Sequence, residues 1–448
     1  MTTLQLSRLV VLIAVLGFTS TIPTSIAKGD FMIAPGLDGM VNNADLSSPA
    51  KKAIEAAQKS IRDRDLASAR ESLKSLENDP NVAHPEILLA ELLAEAGFAA
   101  DGRNTLEEFS GKEPERVDLY LVFSEIALKQ QRWFDGWNLA SFGLRAPMPE
   151  HWSAAFKKQI RDRLLLVQAI CCEGRKDWTG AKKIYATIEQ SPKNEIDVLA
   201  GLGRTNFHLG DTAEAVSSFQ KIKELKPQSE PPYLLMAQLY GQAGKAKEAE
   251  EAYKEAYKNA EGDDKVGVRL AFARWLILRN EIKTTSELLT EPINDSPENE
   301  RERQYLQALV ARMQGKYADA QAILSALHRQ NPATFAISNQ LALVLCESTD
   351  ESLRARALQI AESNVRNQSQ SSEAWATLGW VKFQLGDLKS AEASLANASQ
   401  LGPLNRDGLY YVLQLKRAAG DANAVLILEK ALAEAQGPDY FSNYNAGK

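Results

Sequence analysis

A glycine followed five residues later by alanine recurs along this chain at a near-constant interval. The pairs are Gly210/Ala215, Gly244/Ala249, Gly315/Ala320 and Gly386/Ala391, with a degenerate copy at Gly420/Val425. Ala181, Ala215 and Ala249 stand 34 residues apart, as do Ala169, Gly203 and Ala237, and Tyr185, Phe219 and Tyr253. A period of that size holds two helices and a turn, and such units stack as hairpins. Each hairpin touches only its neighbours, so the core lengthens with the chain and 448 residues need not split into several globules.

The clearest unit runs from Ile196 to Ser229. Leu199, Leu202, Gly203 and Phe207 share one helix face, Gly210-Asp211 ends that helix and caps the next, Ala215, Phe219 and Ile222 line the second helix, and Pro227 closes the unit. Leu202-Gly203, Gly210, Ala215, Phe219 and Pro227 together resemble the tetratricopeptide repeat. A second copy keeps Trp375, Leu378-Gly379, Gly386, Ala391, Leu395, Ala398 and Pro403. Residues 230–263 match through Tyr233, Ala237, Tyr240, Gly244, Ala249, Tyr253 and Ala256, and 301–334 through Ala308, Gly315, Ala320, Leu324 and Pro332. The resemblance implies an all-α, right-handed superhelical solenoid of about eleven helix-turn-helix hairpins. In such a fold the small residues permit close helix crossings, and Trp375, Phe219, Tyr185 and Tyr253 fill the space beside them.

Ala249 to Ala320 and Ala320 to Ala391 each span 71 residues, two periods plus three. The extra residues are expected at Asn280-Glu281 and at Ser348–Ser352. Softer copies are drawn at about 50–82, 83–116, 117–150 and 162–195. The expected organisation is a signal peptide at 1–27, an irregular leader at 28–49, the solenoid at 50–436 and a tail at 437–448. A lobe boundary is expected at 146–161, where Pro147 and Pro149 interrupt the pattern.

Arg8, the apolar run Leu9–Phe18 and the small-residue site Ser25-Ile26-Ala27 read as an export signal cleaved after Ala27. The run is shorter than the roughly 20 residues of a membrane-spanning helix. The expected location is therefore periplasmic, cell-surface or secreted. Net charge is −6 with no Lys/Arg run, which argues against nucleic acid as a partner. Cys171, Cys172 and Cys346 form no disulfide framework and read as small buried apolar groups. The four histidines have no metal-ligand spacing, and Gly241–Lys245 (GQAGK) lacks the spacing of a phosphate loop. No catalytic motif stands out, and neither a cofactor nor a metal is expected.

In the family resembled, the first helix of each hairpin lines a concave groove that holds peptides. Carried over residue by residue, this implies partner contacts at Arg204, Phe207, His208, Gln238, Tyr305, Arg312, Trp380, Phe383, Tyr410 and Gln414. Trp380 and Phe383 exceed what the packing slots need and are the sharpest pointer. The Lys/Asn set with which one subtype clamps a C-terminal carboxylate is missing. At the far end, Val425-Leu426-Ile427-Leu428 cover more than one helix face, so the tail is expected to fold back as a lid, the alternative being a second chain docked there. The implied function is a non-catalytic scaffold of the cell envelope that binds a protein or peptide segment. Membrane association would require an uncleaved N-terminus, and self-association would use the C-terminal helix. The rival is a substrate-binding arm of an envelope polymer-processing or secretion complex.

Overall fold

The computed structural model describes residues 46–294 and 296–441. The proposed export signal and most of the leader lie outside these residues. Among the described residues there are twenty-two α-helices and no strand. The chain is all-α and divides into two compact units, residues 27–256 and residues 257–448.

The N-terminal unit contains α1 (Ser48–Arg62), α2 (Leu66–Lys74), α3 (Pro85–Glu95), α4 (Ala99–Lys112), α5 (Val117–Lys129), α6 (Trp133–Gly143), α7 (Ala154–Gly174), α8 (Trp178–Tyr185), α9 (Glu195–Leu209), α10 (Thr212–Leu225) and α11 (Pro232–Gln242). Its boundary falls within α12 (Ala246–Asn259). The segment 146–161, a loop to Ser153 and then the start of α7, lies inside this unit and is stitched to the connection between α2 and α3. There Ser153 N–H donates to the Pro80 carbonyl at 2.8 Å, Ser153 Oγ donates to Asn81 Oδ1 at 2.6 Å, and Trp152 is buried.

The C-terminal unit contains α13 (Gly262–Leu278), α14 (Ile282–Leu288), α15 (Pro297–Met313), α16 (Tyr317–Gln330), α17 (Phe335–Leu345), α18 (Glu351–Asn367), α19 (Ser372–Gln384), α20 (Leu388–Leu401), α21 (Arg406–Ala418) and α22 (Ala422–Glu434). Each odd-numbered helix packs on the even-numbered helix that follows it, and odd helices touch successive odd helices. The odd helices therefore share one face of the unit. One apolar core runs from Leu270 to Phe441.

The hairpin turn is more regular than the glycine count implies. Ten of the eleven turns place one residue in the left-handed region: Gly97, Gly210, Gly244, Gly315, Gly386 and Gly420, but also Arg64, Gln131, Lys176 and Asn280. The shared geometry is a helix end in which the residue after the left-handed one donates back across the turn. Asp211 N–H reaches the Asn206 carbonyl, and Asp65, Arg132 and Asp177 make the equivalent bond, all at 2.8 Å. Five residues beyond each left-handed position sits a small residue: Ala69, Gly102, Gly136, Ala181, Ala215, Ala249, Thr285, Ala320 and Ala391, all buried, with half-buried Val425 closing the series. At Gly102 an added Cβ would lie 2.6 Å from the Ala90 carbonyl oxygen, so the helices cross there at backbone contact.

This regularity corrects the expected insertion at Asn280-Glu281. Asn280 is the ordinary left-handed turn residue, with φ 62°, and Thr285 fills the small slot. The extra residues lie on either side of that turn. Asn tolerates the left-handed region better than most residues, so no glycine marks the site. The ninth hairpin lacks a left-handed residue and uses the longer connection Cys346–Asp350, ended by the Asp350 cap on Ser352 N–H.

Gly379 occupies the crossing in α19. A Cβ there would meet Leu395 Cγ at 2.6 Å and the Ala391 carbonyl oxygen at 3.3 Å. Gly379→Leu is expected to cost roughly 1–3 kcal/mol by overpacking. Hydrogen exchange should accelerate first in α19 and α20, and unchanged protection across 335–436 would contradict this crossing.

Candidate functional site

The ten sequence-derived positions fall into two groups, four in the N-terminal unit and six in the C-terminal unit. In the N-terminal unit the odd-helix face is largely committed to internal contacts. Arg204 grips Glu173 through Nε at 2.7 Å and Nη2 at 2.9 Å, and the Tyr185 hydroxyl donates to the same carboxylate at 2.5 Å. Phe207 is buried edge-on to Tyr240. His208 is exposed and stacks on Trp178 at 3.8 Å. Gln238 Nε2 donates to the Glu230 carboxylate at 3.3 Å.

The six positions of the C-terminal unit lie on α15, α19 and α21. Trp380 is the centre of an aromatic cluster. It stacks on Phe383 at 5.3 Å and on Tyr411 at 4.8 Å, and meets Tyr410 edge-on at 5.8 Å. Its Nε1–H donates to Glu347 Oε1 at 2.9 Å, and Gln384 Nε2 donates to the same carboxylate at 3.0 Å. Trp380 is only 1% exposed and Tyr410 6%, so neither is open surface. Gln414, one turn beyond Tyr410, has an Nε2 group with no hydrogen-bond partner among the described residues.

Arg312, 3% exposed, carries the charge of this face. Its Nη1 donates to Gln340 Oε1 at 2.8 Å and its Nη2 to Asp407 Oδ2 at 3.3 Å. The Tyr411 hydroxyl also donates to Asp407, at 3.3 Å. Burial raises the Asp407 pKa, with Arg312 opposing. Asn339 Nδ2 donates to Glu373 Oε1 at 2.9 Å. Burial, reinforced by the charge of Asp407, pushes Glu373 up to about 7. Burial also holds the Tyr305 phenol well above its ordinary range, with Tyr440 and Glu373 adding to the effect.

The C-terminal tail completes the cluster. Gly437, with φ 120°, reverses the chain after α22, a backbone state that side chains rarely adopt. Asp439 N–H donates to Asn280 Oδ1 at 2.6 Å, and Arg406 Nη2 donates to Asp439 Oδ2 at 3.0 Å. Arg406 also holds the end of α22 through the Leu432 and Ala435 carbonyls at 3.0 and 2.7 Å. Tyr440 lies under the Arg312 guanidinium, 4.0 Å from ring centre to Cζ. Phe441 stacks on Tyr410 at 4.0 Å and sits edge-on to Trp380 at 5.7 Å. The tail thus folds back, but onto the odd-helix face. It leaves Leu426 70% and Ile427 42% exposed on the outer side of α22.

Sequence reasoning missed the polar members of this face, Asn339, Glu373 and Asp407. Their signal was the repeat period itself, because Tyr305, Asn339, Glu373 and Asp407 stand 34 residues apart. Arg406 and Asn280 carried no such signal, since each acts through the tail.

Among the described residues no group of three or more His, Cys, Asp or Glu is placed to hold a metal ion. No helix among them is long and apolar enough to cross a membrane. The three cysteines are buried and free, and burial pushes the Cys171 thiol up to about 12, away from nucleophilic use at neutral pH.

The tetratricopeptide repeat family model matches residues 196–229 and 231–263. Residues 196–229 and 231–263 carry tetratricopeptide repeats. Repeats of this family mediate protein–protein interaction. Among solved structures, the chain is similar to a tetratricopeptide repeat protein from Parabacteroides merdae, at 16% identity over 57% of this chain and 98% of that one, with a TM-score of 0.39. It is also similar to yeast Tom70, at 13% identity over 85% and 91% with a TM-score of 0.37. The Cut9–Hcn1 hetero-tetramer of the APC/C matches at 12% identity over 87% and 79%, with a TM-score of 0.35. At these identities and scores none of the three bears on partners here. No curated protein matches the chain.

Glu373 gives the repeat face a pH signature. A carboxyl whose folded pKa is raised stabilises most below its unfolded value near 4.5, and that contribution is lost as pH rises towards 7. Glu373→Gln should therefore leave stability nearly unchanged at pH 4 and raise it at pH 8, by up to roughly 3 kcal/mol. Denaturant unfolding at the two pH values checks this, and equal effects at both would contradict it.

Proposed function

We propose that the chain is an exported, non-catalytic scaffold that holds a partner polypeptide against the odd-helix face of its C-terminal unit. The observation that carries the reading is the convergence of Arg312, Trp380, Phe383, Tyr410 and Gln414 on one face of repeat helices, where a tail segment of this chain is already seated. Arg, Trp and Tyr are the residues that dominate binding hot spots. His208 and Gln238 offer a second contact region in the N-terminal unit, more polar and partly exposed. The cell-envelope setting rests on Arg8, the short apolar run and Ser25-Ile26-Ala27.

A photo-crosslinking residue placed singly at Phe383, Gln414, Tyr305 or His208 should capture the native partner. The same residue at Gln321, Lys389 or Leu426, on the opposite helices, should not. Capture confined to the latter set would overturn the binding face. For export, N-terminal sequencing of the mature protein should begin at Lys28, and an intact Met1 in the membrane fraction would contradict cleavage.

A further inference from the structure

We propose that the odd-helix face of the C-terminal unit recognises an acidic residue followed by two aromatics, and that the chain's own Asp439-Tyr440-Phe441 is the resident, displaceable occupant. This rests on the reading of that face as the partner-binding surface, and it assigns the chemistry of the segment bound there.

Each residue of the tail meets a different kind of contact. Asp439 takes one charged partner, Arg406, and one backbone-reading partner, Asn280, which accepts its N–H at 2.6 Å. A side-chain amide that receives a main-chain N–H reads any extended segment, whatever its sequence. Tyr440 is read by its ring, under the Arg312 guanidinium at 4.0 Å. Phe441 is read by shape, laid flat on Tyr410 with an interplanar angle of 9° and bordered by Trp380 and Tyr411. Two guanidinium groups, one amide and a three-ring slot make a recognition pattern more specific than apolar burial alone.

Two features separate this arrangement from an ordinary buried terminus. First, the tail does not fill the space it enters. An open cleft of about 310 Å³ lies beside it, lined by Arg406, Tyr410, Arg417, Glu429, Pro438 and Phe441. A longer segment with the same three-residue key could continue into that cleft. Second, the described part of the tail, Gly437 to Phe441, turns to the odd-helix face, while Leu426 and Ile427 on α22, which a simple end cap would have covered, are exposed. Its polar anchors are partly exposed, with Arg406 23% and Asp439 27% accessible, so the grip that orders it is open to competition by water and by other ligands.

A tethered occupant competes at an effective concentration on the order of millimolar. A free peptide of the same sequence should therefore bind the intact chain weakly and a tail-disabled chain well. The probe is a fluorescently labelled peptide of residues 436–448 (QGPDYFSNYNAGK), titrated by anisotropy against the full chain. Tyr440→Ala with Phe441→Ala vacates the face, and Asp439→Lys weakens the tail's grip while leaving both rings to fill the slot. The vacated chain should bind at least about tenfold more tightly than wild type, and Asp439→Lys should fall between. A peptide with Tyr440 and Phe441 replaced by Ala should not bind, and Arg312→Gln in the vacated chain should abolish binding.

Equal affinity of the folded vacated chain for the two peptides would overturn the proposal. If the vacated chain does not fold, no gain by a folded Asp439→Lys chain would overturn it as well. A concentration-dependent dimer of Asp439→Lys in which the tails exchange would support it, with the second copy as donor. Failure of the peptide while photo-crosslinks still map to Phe383 and Gln414 would remove this inference and leave the scaffold reading standing. Peptide binding with crosslinks mapped elsewhere would do the reverse.

Discussion

The structure depends on one close crossing, repeated. Two helices of a hairpin meet at backbone contact only when the turn reverses within about three residues and a small side chain lies where they cross. The left-handed turn residue satisfies the first condition, and the alanine, glycine or threonine five positions later the second. Arg64, Gln131, Lys176 and Asn280 accept a strained backbone, at roughly 1–2 kcal/mol for a residue with a Cβ. That they do so where six other turns use glycine shows how firmly the crossing dictates the turn. The large residues answer the small ones. An added Cβ at Gly203 would lie 2.3 Å from the Phe219 ring, and one at Gly201 would lie 2.1 Å from Tyr185.

Repetition then places chemistry as well as packing. Because odd helices touch odd helices, residues one period apart become neighbours across 34 positions of sequence. Asn339 reaches Glu373 in this way, and the next step of the same ladder is Asp407, which is bonded to Arg312. A buried acid, a buried guanidinium and three aromatic rings thus collect on one face of the C-terminal unit, although they belong to three hairpins. The face is costly to form empty, since Arg312 and Asp407 are both desolvated there. An aromatic segment laid over it shields that ion pair and adds ring contacts, and Tyr440 and Phe441 do this in the present structure.

Much of the fold was legible in the sequence because period 34 is enforced by sterics at each crossing. Gly210, Gly244, Gly315, Gly386 and Gly420 marked the turns directly. Turns at Arg64, Gln131 and Lys176 were not legible, since their left-handed state is imposed by tertiary packing and not by residue type, and at Asn280 no glycine marks a turn that Asn tolerates. The aromatics Trp380, Phe383 and Tyr410 do lie together, but their surroundings were not legible. Trp380 lies beneath other rings, and its indole N–H is spent on Glu347. The tail's destination was hidden for a different reason. Asn280 and Arg406 bind it through isolated long-range contacts, which leave no periodic trace.

In the intact chain the C-terminal tail, through Asp439 to Phe441, occupies the odd-helix face. Native-state hydrogen exchange of the segment spanning Asp439 to Phe441 tests this placement most directly. Asp439 N–H is bonded to Asn280, and Phe441 N–H to the Asp439 carboxylate at 3.1 Å. Both amides should exchange well below the unstructured rate in the unliganded protein, and the Asp439 protection should fall with Asn280→Ala. Exchange at the unstructured rate in the unliganded wild type would contradict it.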